Sequence, residues 1–392
     1  MMILFDLRLN SLFRFTDDMI FIDAFRAWFL GRTTVIFRKM WVSLAACLTI
    51  CLFPVTVSAQ DVPIPAERPD GAFSEGVHAK YVVKSTFLPE LVLVDIHSHL
   101  YRGEQDYDAL LSFMDRNNVA KMALSGLTGA DADQQSLEAA SREPKRFLAF
   151  LRGFELDREH VNRYVRNCLV RGKYHGIGEL FINGHGRCIP GDAPPLMEVY
   201  RTAGEFQVPV LFHWTIGSLN PAEFGSKEGF QQLKRVLEDN CATTFILAHC
   251  GKGPSPLRKN FPAILDYLLN RYKNLFMDIS GLHDDLFSDE GELSEFGKCL
   301  VCLIEKYSDR FMLGFDVGEP GNLLSHADQV VRIYRKFLSS FSRKTAEKLA
   351  GRNSLNLFRR CSTTRSTIKK WKPRYVQGDP VKVSEASGTL FP

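Results

Sequence analysis

The chain has 392 residues, 45% of them hydrophobic and 24% charged, with 49 Lys or Arg against 45 Asp or Glu and a formal net charge of +4. This make-up is that of one large globular domain or two small ones, and it excludes collagen-like repeats and long disordered tracts. Residues 361–392 hold six basic residues against two acidic ones and residues 1–59 six against four, so the body between them is near neutral and lacks the footprint of a nucleic-acid-binding domain.

The N-terminal stretch differs from the rest. Residues 41–59, WVSLAACLTICLFPVTVSA, carry no charge, follow Arg38 and Lys39, and end in Val57-Ser58-Ala59. That is the pattern of a cleavable export signal, and it predicts a periplasmic or secreted protein whose mature chain begins near Gln60. The alternative is a membrane anchor through residues 41–59, since about 20 apolar residues span a bilayer; Pro54 and the Thr and Ser content weaken the run. Met40 stands directly before it, and Leu44-Ala45-Ala46-Cys47 resembles a lipobox with too little apolar sequence ahead of it. Residues 60–90, with Pro63, Pro65, Pro69 and Pro89, read as an extended lead-in to the domain.

From residue 91 short apolar runs alternate with longer helical stretches. The runs are LVLVDI at 91, KMALSG at 121, FLAFLRG at 147, HGIGEL at 175, VPVLFH at 208, TFILAH at 244, NLFMDI at 274 and RFMLGF at 310. Buried parallel strands have this continuous apolar character. Amphipathic stretches between them, such as YDALLSFMDRNN, LMEVYRTAGEFQ, GFQQLKRVLEDN, FPAILDYLLNRY and EFGKCLVCLIEKY, predict crossover helices. Eight such units over residues 91–360 predict an α/β fold, a single-domain (β/α)8 TIM barrel closed by SHADQVVRIYRKFL and RKTAEKLAGRNSLNLF. An open doubly wound sheet would call for a Gly-rich phosphate turn after the first strand, where His-Ser-His stands instead.

Two features beyond this rhythm have plainer readings. Residues 361–392 read as a solvated basic tail, with an anionic surface as the alternative partner. The nine cysteines show no framework spacing; Cys299 and Cys302 form a CxxC inside an apolar helical pattern without a second pair, which reads as core thiols.

In such a barrel the chemistry sits at the C-terminal ends of the strands, whose loops face one basin. His97 and His99 end the first run, Arg152 the third, Glu179 the fourth, His213 the fifth, His249 the sixth, Asp278 the seventh and Asp316 the eighth. Side chains at i and i+2 of a strand share a face, so His97 and His99 can offer two imidazole nitrogens to one divalent ion, with Asp95 facing the same way one layer deeper. His213 and Asp316 are expected to add ligands from across the barrel, Asp278 to hold a loop backbone, and His185, Trp214 and His283 to lie on loops that either line a pocket or serve as packing or surface residues.

In order along the chain, DIHSH, GIGE, PVLFHW, FILAHCG, NLFMDISG, FMLGFD and GRNSLNLF resemble the landmarks of the amidohydrolase superfamily, most closely its amidohydrolase-related, decarboxylase-like metal-dependent branch. The resemblance implies that His97, His99, His213 and Asp316 bind a divalent metal, zinc above all. It implies that Asp316 also handles the proton of the attacking water, and that His249 is either a second-metal ligand or a polarising residue. Where two-metal members often carry a carboxylated lysine this chain has Glu179, as in the TatD-like deoxyribonuclease branch, so one or two ions are both open. Arg152 joins Asp316 and His249 as a candidate catalytic residue, and Glu179 and His249 are candidate ligands.

These readings together predict an exported metal-dependent hydrolase that attacks a small amide, ester or lactone with metal-activated water, with no nucleic acid and no obligatory membrane partner. The alternatives are a decarboxylase or hydratase in which Arg152 grips a carboxylate, a nuclease, and a non-catalytic metal-binding barrel.

Overall fold

The structure is a computed structural model describing residues 88, 90–100, 106–126, 130–156, 160–171, 173–184, 187–216, 227–252, 261–318 and 323–359. Residues 1–59, with the expected export signal, nearly all of residues 60–90 and the basic tail lie outside the described residues.

Strand and helix alternate from the first element. In chain order they are β1 (Leu93–Leu100), α1 (Tyr107–Arg116), β2 (Val119–Gly126), α2 (Ala130–Arg142), β3 (Phe147–Leu151), α3 (Val161–Val170) and β4 (Gly176–Phe181). A small hairpin of β5 (Asn183–Gly184) and β6 (Arg187–Cys188) precedes α4 (Pro194–Phe206), β7 (Val210–His213), α5 (Lys227–Asp239) and β8 (Phe245–Leu247). Then come α6 (Phe261–Arg271), β9 (Leu275–Asp278), α7 (Glu295–Lys306), β10 (Phe311–Met312), α8 (Leu323–Leu338) and α9 (Arg343–Glu347). Two helix starts are capped by side chains, Asp106 accepting from the Ala109 amide at 2.8 Å and Ser294 from the Gly297 amide at 2.9 Å.

Eight strands form one parallel sheet in the order β1-β2-β3-β4-β7-β8-β9-β10. Its ends meet through three backbone bonds, Ile96 N to Leu313 O at 3.1 Å, Asp316 N to His97 O at 2.6 Å and His99 N to Val317 O at 2.9 Å. The architecture is therefore the (β/α)8 barrel, and the closing seam lies against His97, His99 and Asp316.

Alternation along the strands divides the core in two. Leu93, Met122, Phe147, Val210, Phe245, Leu275 and Phe311 face the helices in one large cluster. Val94, Ile96, Ala123, Phe150, Leu211, Ile246 and Met312 fill the barrel interior with Leu357 and Phe358, so GRNSLNLF plugs the barrel from below. Cys299 and Cys302 on α7 are only half-buried, because that helix turns them partly away from the sheet.

Two irregularities re-aim the strands. In β1 the register to β2 shifts between Asp95 and Ser98. One extra residue there places both Ile96 and His97 on the interior side and turns Asp95 away, where it accepts from Ser98 Oγ at 2.6 Å. Asp95 therefore does not share a face with the two histidines. In β4 the register to β7 shifts between Ile177 and Leu180, and Gly178 sits there at φ +121° with a would-be Cβ 2.0 Å from Leu211 O. Only glycine fits that close approach, and the shift turns Glu179 inward.

Candidate metal centre

At the C-terminal mouth the interior carries polar groups in place of apolar ones. His97, His99, Glu179, His213 and His249 are all buried, while the Asp316 side chain is 33% exposed. His249 and Asp316 both occupy the left-handed region, at φ 54° and 53°. For non-glycine residues that conformation costs about 1 kcal/mol or more. The fold holds two strained residues where they bring their side chains to one point.

Four donor atoms converge first. His97 Nε2 lies 3.1 Å from His99 Nε2, 3.3 Å from Glu179 Oε2 and 3.6 Å from Asp316 Oδ1. His99 Nε2 lies 3.4 Å from the same Glu179 oxygen and 3.3 Å from the same Asp316 oxygen. The other carboxylate oxygens face a second group: Glu179 Oε1 is 3.0 Å from His213 Nδ1 and 3.4 Å from His249 Nε2, and Asp316 Oδ2 is 3.9 Å from His249 Nε2. Metal–ligand bonds of about 2.1 Å imply donor separations of about 3.0 to 3.4 Å around one divalent ion. The first group matches that range closely; His97, Glu179 and His249 also lie within reach of one ion, and His213 stands beside them through Glu179 Oε1.

The hydrogen bonds behind the imidazoles fix which nitrogen faces inward. His97 Nδ1 donates to Asp278 Oδ2 at 2.6 Å, and His249 Nδ1 to the Ser280 carbonyl at 3.0 Å. His99 Nδ1 lies 3.0 Å from Ser125 Oγ. With Nδ1 so engaged, the Nε2 lone pairs of these histidines point at the shared space, as metal ligands require. Asp278 was expected to hold a loop backbone; it accepts from Ser280 N at 2.7 Å and orients His97 as well. Ser125 and Ser280 were not singled out in the sequence, since an isolated serine carries no signal before the fold is known.

Ionisation follows from the crowding. Burial opposes charge on Glu179, yet the field of His97 and hydrogen bonds from His213, His249 and His97 hold its carboxyl well below the usual range. The Asp316 carboxyl is lowered to about 2, against burial, by His97, His99 and His249. Burial alone would lower the histidines, but Glu179, Asp316 and Asp278 lift His97 well above an ordinary imidazole, and Glu179 and Asp316 also lift His99 and His249. Without an ion the carboxylates are paired with imidazolium; a divalent cation takes over that role by displacing protons. Beneath them, burial pushes the Asp95 carboxyl up to about 7, despite hydrogen bonds from Ser98, His97 and Phe315.

Other candidates lie around this centre. Arg152 follows β3, buried, with its guanidinium carbon 4.9 Å from the Phe181 ring centre, and Phe181 lies 5.6 Å from the His213 ring. His283 sits in the turn after β9 against His326 and Tyr334, at 5.6 and 6.2 Å between ring centres. Trp214 is fully buried against Gly191, and His185 lies outside the described residues.

Comparison with known families matches residues 94–360 to the family model described as Amidohydrolase. Among solved structures the chain is similar to an amidohydrolase from Burkholderia multivorans, with 17% identity over 68% of this chain and 99% of that one and a TM-score of 0.51. It is also similar to a 2,6-dihydroxybenzoate decarboxylase from Rhizobium, with 16% identity over 69% and 99% and a TM-score of 0.47. A third is a dihydroxybenzoic acid decarboxylase from Polaromonas sp. JS666 with bound manganese, with 16% identity over 69% and 97% and a TM-score of 0.46. At these identities the Burkholderia structure speaks to the fold alone. No curated protein matches the chain.

Proposed function

The chain belongs to the amidohydrolase family, and on that premise we propose that its barrel is a metal-dependent hydrolase of a small amide, ester or lactone, built around two divalent ions, zinc in the first instance. The observation that carries the reading is Glu179. One of its oxygens faces His97 and His99, and the other faces His213 and His249. A carboxylate so placed could give one oxygen to each of two ligand sets, as a carboxylated lysine does in the resembling two-metal barrels. His97, His99 and Asp316 would complete one ligand set, and His213 and His249 the other. The ions supply Lewis acidity toward a carbonyl and acidify water at neutral pH.

The chain's own groups supply the proton handling. Asp316 is ionised at neutral pH and is the most open member of the cluster, with Oδ1 toward His97 and His99 and Oδ2 on the side of His249 Nε2, 3.9 Å away. It can take a proton from the attacking water at Oδ2 and return it to the leaving group. His249 stays fixed through Nδ1 and keeps Nε2 toward the reacting space. Asp316→Asn removes the base while keeping shape, so turnover on ester, amide or lactone substrates should fall by about 10²-fold or more with the fold intact. An unchanged turnover rejects this assignment. Complete inactivity of the wild-type protein toward every such substrate, with metal bound, rejects the hydrolase reading.

Arg152 favours a second reading. A buried guanidinium that stacks on Phe181, itself beside His213, suits a substrate carboxylate. A decarboxylase would then use the same centre, and carbon dioxide release from a small carboxylic acid separates it from the hydrolase. Export through residues 41–59 is part of the proposal, and a mature N-terminus near Gln60 on sequencing supports it.

A further inference from the structure

Behind the donor atoms, a four-residue segment at the end of β9 touches one histidine from each ligand set. Asp278 Oδ2 accepts from His97 Nδ1 at 2.6 Å and from Ser280 Oγ at 2.8 Å, while Asp278 Oδ1 accepts from Ser280 N at 2.7 Å. The Ser280 hydroxyl lies 3.0 Å from His97 Nδ1 and 3.0 Å from His249 Nδ1. Its single hydrogen goes to the carboxylate, so its lone pairs face the two imidazole N–H groups as a second, shared acceptor beside Asp278 Oδ2 for His97 and the Ser280 carbonyl for His249. All of these side chains are buried.

The segment is itself pinned from outside the centre. Tyr334 on α8 donates its hydroxyl to Ile279 O at 2.6 Å, and Cys250 Sγ lies 3.4 Å from Asp278 O. Gly281, at φ +64°, lets the chain pass beside His249, where a Cβ would come within 2.9 Å of Nδ1. Asp278 makes no direct hydrogen bond to His249 among the described residues, so its influence there runs through Ser280.

We propose that Asp278 and Ser280 form one bracket that sets the tautomer and spacing of His97 and His249 together, so that a single buried unit positions both ion sites. They are positioning residues, acting through the histidines. This rests on the two-ion reading above. It goes beyond that reading in coupling the two sites: damage to the contact with His97 must reach His249.

The test compares full-length wild type, Asp278→Asn and Ser280→Ala, each stripped by chelation and titrated with zinc by calorimetry. The Nδ1–H resonances of the zinc-loaded, histidine-labelled proteins are recorded beside the titrations, and circular dichroism checks that each variant folds. The wild type should bind zinc in two steps. Both variants should weaken both steps by about tenfold or more, and Asp278→Asn should move the His249 Nδ1–H signal as well as that of His97. If Asp278→Asn alters His97 alone, or if either variant weakens only one step, the contacts are independent and the bracket is refuted. Wild-type binding with unchanged variants refutes the bracket but leaves the metal reading standing. Absence of zinc binding by the wild type overturns the metal reading and the bracket with it. Should Asp278→Asn fail to fold, Ser280→Ala, which removes only one hydroxyl, decides the matter.

Discussion

Replacing Gly314 by alanine crowds the metal centre without touching any donor atom. A Cβ at this position would lie 2.5 Å from Asp278 Oδ1, 2.8 Å from His97 Cβ and 3.1 Å from Asp278 Cγ. Ordinary contact begins near 3.4 Å, so the carboxylate must retreat by about 0.9 Å, and it has no solvent to retreat into. Overpacking of this kind costs about 1 to 3 kcal/mol, which for a barrel of this size lowers Tm by roughly 2 to 10 °C. The carboxylate also carries the 2.6 Å bond that aims His97, so zinc affinity should fall by about tenfold or more. Thermal melts of the metal-free protein read the first effect and zinc titrations the second. Gly314→Ala with wild-type Tm and wild-type affinity would show that Asp278 is neither packed nor oriented as described. A lowered Tm with unchanged affinity would refute the link from Asp278 to the metal.

Three further outcomes follow from the same geometry. The His97, His99 and His249 imidazoles are lifted above their ordinary value, so they keep protons to higher pH than a free imidazole and an entering cation must displace those that remain. Affinity should rise as pH increases above about 6.5, the unperturbed imidazole value, and calorimetry in buffers of different ionisation heat should detect proton release; a flat profile from pH 6 to 9 contradicts it. In Arg335→Met the buried guanidinium that donates to Leu88 O, Leu91 O and Asn117 O at 3.0, 3.2 and 2.7 Å is lost. The cost should be about 3 kcal/mol, read by denaturant melts, with turnover per folded molecule unchanged; a loss of turnover without a loss of stability would place Arg335 in the chemistry. Gly281→Ala, whose Cβ would come within 2.9 Å of His249 Nδ1, should disturb His249 directly and His97 through Ser280, weakening both steps of zinc binding, the His249 step more; a wild-type titration would contradict this.

The barrel was largely legible in the sequence because each strand is a continuous apolar run and each major crossover an amphipathic one. All eight strands lie where those runs fall, and the helices over FPAILDYLLNRY and EFGKCLVCLIEKY end within a residue of the pattern. Helix α2, ADADQQSLEAASR, was not singled out, since its composition is mainly polar and its buried face is narrow. The strand-end polar residues were visible because charge and histidine interrupt apolar runs at one recurring place. The bulge in β1 was not visible: strict alternation puts Asp95 beside His97, and only the shifted register to β2 reveals that Asp95 turns away. Ser125 and Ser280 were hidden for a different reason, as their meaning lies in which histidine they meet across the barrel. Glu179 stood out in the sequence as a departure from the lysine pattern, and its position between two sets of nitrogens follows from the tight Gly178 turn.

The central claim is a two-ion centre joined by Glu179. Metal content per chain, by elemental analysis of the purified protein beside Glu179→Gln and the double variant His97→Ala/His99→Ala, tests it most directly. The account predicts about two ions per wild-type chain, with fewer retained in both variants. One ion per chain, unaffected by Glu179→Gln, would contradict it.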